Sequence, residues 1–205
     1  MDTTIGGRDA FNKAQAAARS DAVAATIRRA VPEAAGLTGL DYGCGPGHIG
    51  VRLAGHFGKI ILADADPAAL AQAATAAAGL ANTTTMVLDL ARQTPPEGLR
   101  ADVVFSSLAW HHVTDLDRLL DALPVVAPGG RLIVAEMDPD DGAYHAEVPG
   151  FIGVDGFDRA ELAARLARHD YTDIDTAPLG SWSKWILGEL VTVSLFLLQA
   201  NLPRH

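Results

Sequence analysis

Five short apolar runs recur after residue 37, and each is separated from the next by a segment with helical spacing. The runs are GLTGLDYG (36–43), KIILAD (59–64), TTTMVLDL (83–90), ADVVFSSL (101–108) and RLIVAEMD (131–138). Near-continuous apolarity over so few residues suits strands covered on both faces, as in a parallel sheet. Between the first two lies HIGVRLAGHFG, with Ile49, Leu53 and Phe57 four residues apart. After the second, Asp66 is placed to cap a helix that has Pro67 at its first position and Gly79 beyond its end. A third helix is expected from Thr114 to Leu123. Such alternation predicts a doubly wound α/β sheet with right-handed crossovers.

Residues 8–31 are alanine-rich and helix-prone, and residues 1–34 are expected as a helical segment on the substrate side of a ligand-binding domain spanning 35–205. Asp158 and Glu161 form a capping-box pattern that opens a last helix, followed by β-like runs at Thr172–Thr176 and Leu190–Leu198. The apolar tail WILGELVTVSLFLLQA carries Glu189, Thr192, Ser194 and Gln199 and is too short for a bilayer, so it reads as a buried strand. The stretch from Met137 to Gly156 is the longest loop-like piece.

Chemistry gathers where the strands end. LDYGCGPGHIG follows the first run with four glycines and a proline in a few positions. Glycine suits a backbone at positive φ or a place where something approaches closer than a Cβ allows. Asp64 ends the second run, Asp89 the third, and Ser106 and Ser107 the fourth. Ligands of open parallel sheets sit beyond the carboxyl ends of the strands. A nucleotide-like ligand accounts for the whole set, its ribose hydroxyls donating to Asp64 and an exocyclic amine to Asp89. A dehydrogenase fingerprint needs a third glycine at position 48, where His48 stands, and no G-K-[ST] follows for a phosphate loop.

These segments resemble the class I S-adenosylmethionine-dependent methyltransferases. LDYGCGPG is similar to their first motif, and ILADADP, VLDL, ADVVFSSLAWHHVTDLDRLLDAL, APGGRLIVAEMD and GFDRAELAARLARHDYTDI are similar to the later ones in order, over residues 35–200. The resemblance implies a Rossmann-like sheet of seven strands, mostly parallel with the last antiparallel, and S-adenosylmethionine as cofactor. It places Gly43, Gly45 and Gly47 around the methionine end, Asp41 on the ammonium, Asp64 on the ribose, Asp89 on the adenine amine and Ser106 on the floor. Cys44, Ala65 and Leu90 complete the cofactor-binding set. Tyr42 and Ala65 depart from the family, where an aliphatic residue and a larger apolar one are usual.

The expected activity is methyl transfer to a small molecule, the alternative being a non-catalytic domain that binds the cofactor as a sensor or assembly partner. His111, His112, Tyr144 and His145 are the candidates for a general base, with Asp138 behind them. No metal is expected, because the seven histidines show no H-x-x-H or H-E-x-x-H spacing. A net charge of −9 without a basic cluster disfavours nucleic acid as a partner. The lone Cys44 rules out an internal disulfide, and the N-terminus lacks the apolar core of a signal peptide, so a cytoplasmic protein without membrane contact is expected. Acids on the 137–156 loop leave open a cationic substrate or a merely solvated loop.

Overall fold

A computed structural model describes residues 4–204. Its elements run α1 (Ile5–Ala30), β1 (Thr38–Tyr42), α2 (His48–Leu53), β2 (Lys59–Asp64), α3 (Pro67–Ala76), β3 (Thr83–Val87), β4 (Val103–Ser107), α4 (Leu116–Val126), β5 (Arg131–Met137), α5 (Arg159–Arg168), β6 (Thr172–Ile186) and β7 (Glu189–Asn201). All seven strands join one sheet in the order β3-β2-β1-β4-β5-β7-β6. The first five are parallel, and β7 runs antiparallel between β5 and β6. The expected seven-stranded α/β sheet is therefore the observed one.

Alternation along the strands divides the core between the two faces. Leu40, Ile61, Val104 and Leu132 pack with α4 and α5, while Ile60, Leu62, Val103 and Phe105 pack with α1, α2 and α3. Helix α1 is not a separate lobe, because its C-terminal half buries Val23, Ala24 and Ile27 in the second of these clusters. The first three residues and His205, which the sequence reading assigned to the two segments, lie outside the described residues.

Three elements differ in extent from expectation. The apolar tail is a hairpin rather than one strand: Leu187 and Gly188, at φ 48° and 90°, turn β6 into β7. Helix α4 continues through Pro124 to Val126. The third apolar run leaves the sheet after Val87, and Leu88 bonds back to Asp64 through its backbone at 3.0 Å. Among the described residues no helix is long and apolar enough to cross a membrane.

Candidate active site

The parallel strands β1, β2 and β4 end together at one rim. There β1 runs into the glycine loop, which hangs on β2: the amides of Gly43 and Cys44 donate to the Ala63 carbonyl at 2.8 and 3.0 Å. A cavity of about 590 Å³ opens at this rim, within the range of small-molecule sites. Gly43, Gly45, Asp64, Ala65, Asp89 and His112 of the expected residues line it.

The loop glycines divide by task. A Cβ on Gly43 would lie 2.3 Å from that of Ala109, and one on Gly47 would meet Ala73 at 3.1 Å. Those two glycines, at φ 70° and 80°, let the loop close on β4 and let α2 start against α3. A Cβ on Gly45 would meet nothing within 4 Å, so its main chain is the part of the loop bare toward the cavity. Of the three, Gly43 and Gly45 line the cavity, and Gly45 alone has open space on the side a Cβ would take.

Asp64 accepts the Gly45 amide through Oδ2 at 2.7 Å and the Asp66 amide through Oδ1 at 2.9 Å. Each oxygen retains acceptor capacity for a ligand hydroxyl. Asp89 faces the same space, with the Arg92 guanidinium 3.8 Å away.

Several expected residues stand behind the wall instead. Asp41 is buried and accepts the Gly50 amide at 2.8 Å. Burial, with the nearby Asp64 charge adding to it, raises its pKa to about 7 against the opposing Gly50 bond. Ser106 donates to the Tyr42 carbonyl at 2.7 Å and ties β4 to β1. Cys44 is buried, and burial pushes its thiol pKa upward. The Leu90 amide donates to the Tyr42 hydroxyl at 3.1 Å, so it is already engaged. Tyr42 thus braces the segment after β3 and lines the cavity itself; burial pushes its pKa up to about 12. Leu108, another lining residue absent from the expected set, adopts φ 54° one residue past β4. The strand-end rule alone was enough to find it.

Beyond the cavity, the candidate bases meet. His111 and His112 follow β4, and the 137–156 loop brings His145 to them, with ring centroids 5.0 Å from His111 and 5.7 Å from His112. His111 is held through Nδ1 by the buried Glu136 carboxylate at 2.8 Å. The His112 pKa is held down at about 4, by burial first and then by the neighbouring His111 and His145 rings. Tyr144 meets the His145 ring edge-on at 5.2 Å between centroids, while its hydroxyl accepts from Arg19 of α1 at 3.4 Å. Asp138 is taken by Arg159 in a two-pronged pair at 2.7 Å on each side.

Residues 40–130, which carry the glycine loop and the strand-end acids, match the family model of a methyltransferase domain. Over 175 residues, or 84% of its length, the chain is 31% identical to a trans-aconitate 2-methyltransferase of Methylobacterium nodulans. It spans 64% of that relative. The fold matches the crystal structure of the YcgJ protein from Bacillus subtilis with a TM-score of 0.68, at 14% identity over 89% of this chain and 98% of that one. It also matches magnesium protoporphyrin IX methyltransferase from Synechocystis, solved with bound SAH, with a TM-score of 0.63 at 20% identity over 95% of this chain and 86% of that one. Sheet order, loop and matched sequence agree: residues 40–130 are those of a methyltransferase domain, and the chain as a whole is similar to methyltransferases in sequence and in fold.

Proposed function

We propose that this protein transfers a methyl group from S-adenosylmethionine to a small molecule, and that the substrate is anionic. The observation that carries the cofactor half is the bare main chain at Gly45, set beside the Asp64 carboxylate on the wall of one cavity. The residues present fit the cofactor: Asp64 for ribose hydroxyls, Asp89 for an amine on the base, and Gly45 for close approach. Leu90, its amide engaged by Tyr42, contributes packing only. When bound, the cofactor supplies a methyl group already activated on a sulfonium. The protein's share is then alignment, which is worth roughly 7–11 kcal/mol when reacting groups are held in line.

The substrate half rests on charge. A second cleft of about 340 Å³ lies between the N-terminal half of α1 and β6, and Lys13, Arg19 and Lys184 stand around it with Tyr144 and Trp182. That arrangement supports α1 as a wall of the substrate side. Of the loop acids that would favour an amine, Asp138 is engaged by Arg159 and Asp155 by His145, while Glu147 and Lys184 offset each other, which leaves Lys13 and Arg19 as the cations of this cleft. A carboxylate-bearing acceptor agrees with the charge of this cleft and with the substrate named for the Methylobacterium relative.

Calorimetric titration with S-adenosylhomocysteine and NAD, side by side, tests the cofactor. Saturable binding of the first alone is expected, and Gly45→Val should abolish it while the melting transition survives. Its side chain would fill ligand space from a residue at φ 51°. Labelled methyl transfer across carboxylates, phenols and amines tests the substrate. Carboxylates, trans-aconitate included, are the expected acceptors; turnover confined to amines would overturn the charge argument, and binding without turnover of any class would leave a cofactor-binding domain.

A further inference from the structure

One ring nitrogen from each of His111, His112 and His145 lies within 4.8 Å of the other two. Two of these rings are fixed by carboxylates through Nδ1: that of His111 by Glu136 Oε2 at 2.8 Å, and that of His145 by Asp155 Oδ1 at 3.0 Å. Glu136 is itself locked, accepting the Trp110 amide at 2.8 Å and the Met137 amide at 3.2 Å. An imidazole that donates Nδ1–H to a carboxylate presents an unprotonated Nε2. The Nε2 atoms of His111 and His145 are both buried and have no hydrogen-bond partner among the described residues. Leaving two such acceptors unmet is costly unless something else binds them.

The surroundings hold the three rings in place. Phe151 stacks on His145 at 3.8 Å between centroids and meets His112 edge-on at 5.4 Å. The loop is fastened to β4's end by the Val154 amide, which donates to the His111 carbonyl at 2.9 Å. At Gly153 a Cβ would lie 2.1 Å from that same carbonyl, so the loop passes as close as a chain can.

We infer that His111, His112 and His145 form a binding site for a borderline divalent transition ion, of which Zn²⁺ is the type, at the edge of the cofactor cavity. Three neutral imidazoles with carboxylates behind two of them are the donor set such an ion takes, at bond lengths of ~2.0–2.1 Å. In a tetrahedron those bonds put the nitrogens about 3.3 Å apart, so the rings close inward from a spacing of up to 4.8 Å when the ion binds. Magnesium and calcium are disfavoured, since they take oxygen donors. Three protein ligands leave a fourth position, and His112, which lines the cavity, sets it on that side. The ligand class for this position is an anionic oxygen or sulfur of a small molecule. Its service to a methyl acceptor rests on the proposed function; the ion site does not.

The test uses the full chain, stripped by a chelator and kept free of cofactor, so its outcome is independent of methyl transfer. Zn²⁺ is titrated in competition with a chromophoric chelator, and Co²⁺ is added separately to read coordination from its visible spectrum. One ion per chain and an intense tetrahedral Co²⁺ band are expected. His145→Ala and His112→Ala should each weaken Zn²⁺ at least ~100-fold, and Glu136→Gln about 10- to 100-fold. His112 is the least buried of the three, so His112→Ala keeps the test valid if a buried variant fails to fold. Azide should shift the Co²⁺ spectrum by entering the fourth position. Absence of stoichiometric uptake, equal uptake by His112→Ala, or a six-coordinate Co²⁺ spectrum overturns the site; a spectrum unmoved by azide overturns the open position.

Discussion

Asp41 accepts the Gly50 amide beneath the glycine loop, where burial raises its pKa to about 7. The unfolded chain releases this proton near 3.8, the ordinary value for an aspartate, whereas the folded one keeps it to about 7. The native state therefore binds more protons across that window, and stability falls as pH rises through it. Asp41→Asn keeps the shape and an acceptor for Gly50 but has no charge to bury. The variant should match the parent near pH 4 and exceed it at pH 8 in urea denaturation; the rise from 3.8 to about 7 bounds the gain at roughly 4 kcal/mol. Equal or lower stability of Asp41→Asn at pH 8 would show that the carboxyl ionises there freely. The sequence marked Asp41 as a strand-end acid, but its depth depends on Gly50. A Cβ at that position would lie 2.2 Å from Leu62, so the bare residue lets α2 settle onto β2 over the carboxyl. Contacts of that kind carry no periodic signal.

Among the elements, α4 shows how a helix survives a proline. Pro124 has no N–H to offer the Leu120 carbonyl one turn back, which would leave a buried acceptor unmet. The Tyr171 hydroxyl, between α5 and β6, donates to that carbonyl at 2.8 Å. Tyr171→Phe should destabilise the protein by ~1–3 kcal/mol in chemical denaturation. Pro124→Ala restores a backbone donor, so in the double variant most of the loss should return; additive effects would mean that Tyr171 acts through packing alone. The helix expected from sequence ends at Leu123, and what carries it past Pro124 is a residue nearly fifty positions away. Strands β1, β2, β4 and β5 were legible because both their faces are buried, which writes a nearly unbroken apolar run, whereas the edge strand β3 is half-exposed and showed through its β-branched threonines. Strand β6 was legible only at its start. It is an edge strand with half-exposed residues, and its pairing shifts between Pro178 and Gly180. The histidine cluster was hidden for a related reason: a long loop, rather than helical spacing, delivers its third member.

At the scale of the molecule, the sheet has two edges and treats them differently. Strand β3 is short, a common protection against pairing with another chain. Strand β6 is long, and α1 covers part of its open edge with side-chain amides. Asn12 accepts the Trp185 amide at 2.7 Å and donates to the Trp185 carbonyl at 3.1 Å, as a neighbouring strand would. Gln15 accepts the Ser183 amide at 3.2 Å. Replacing both by alanine should bare this edge and promote self-association, read as a rise in mass by light scattering on mild heating, with little change in the unheated far-ultraviolet spectrum. A double variant that stays as monodisperse as the parent would show that α1 shields the strand by bulk. The fold class was plain from the strand–helix alternation, whereas this clasp joins residues more than 160 positions apart and leaves no local trace.

The insertion of β7 between β5 and β6 has a consequence for how the chain is born. A ribosome releases β6 before β7, yet β6 touches the rest of the sheet only through β7. The nascent β6 segment has no docking edge until its hairpin partner emerges, and the cleft that Trp182 and Lys184 help to wall stays unbuilt until then. Assembly of that cleft therefore waits on β7, after the five parallel strands and their rim have left the ribosome.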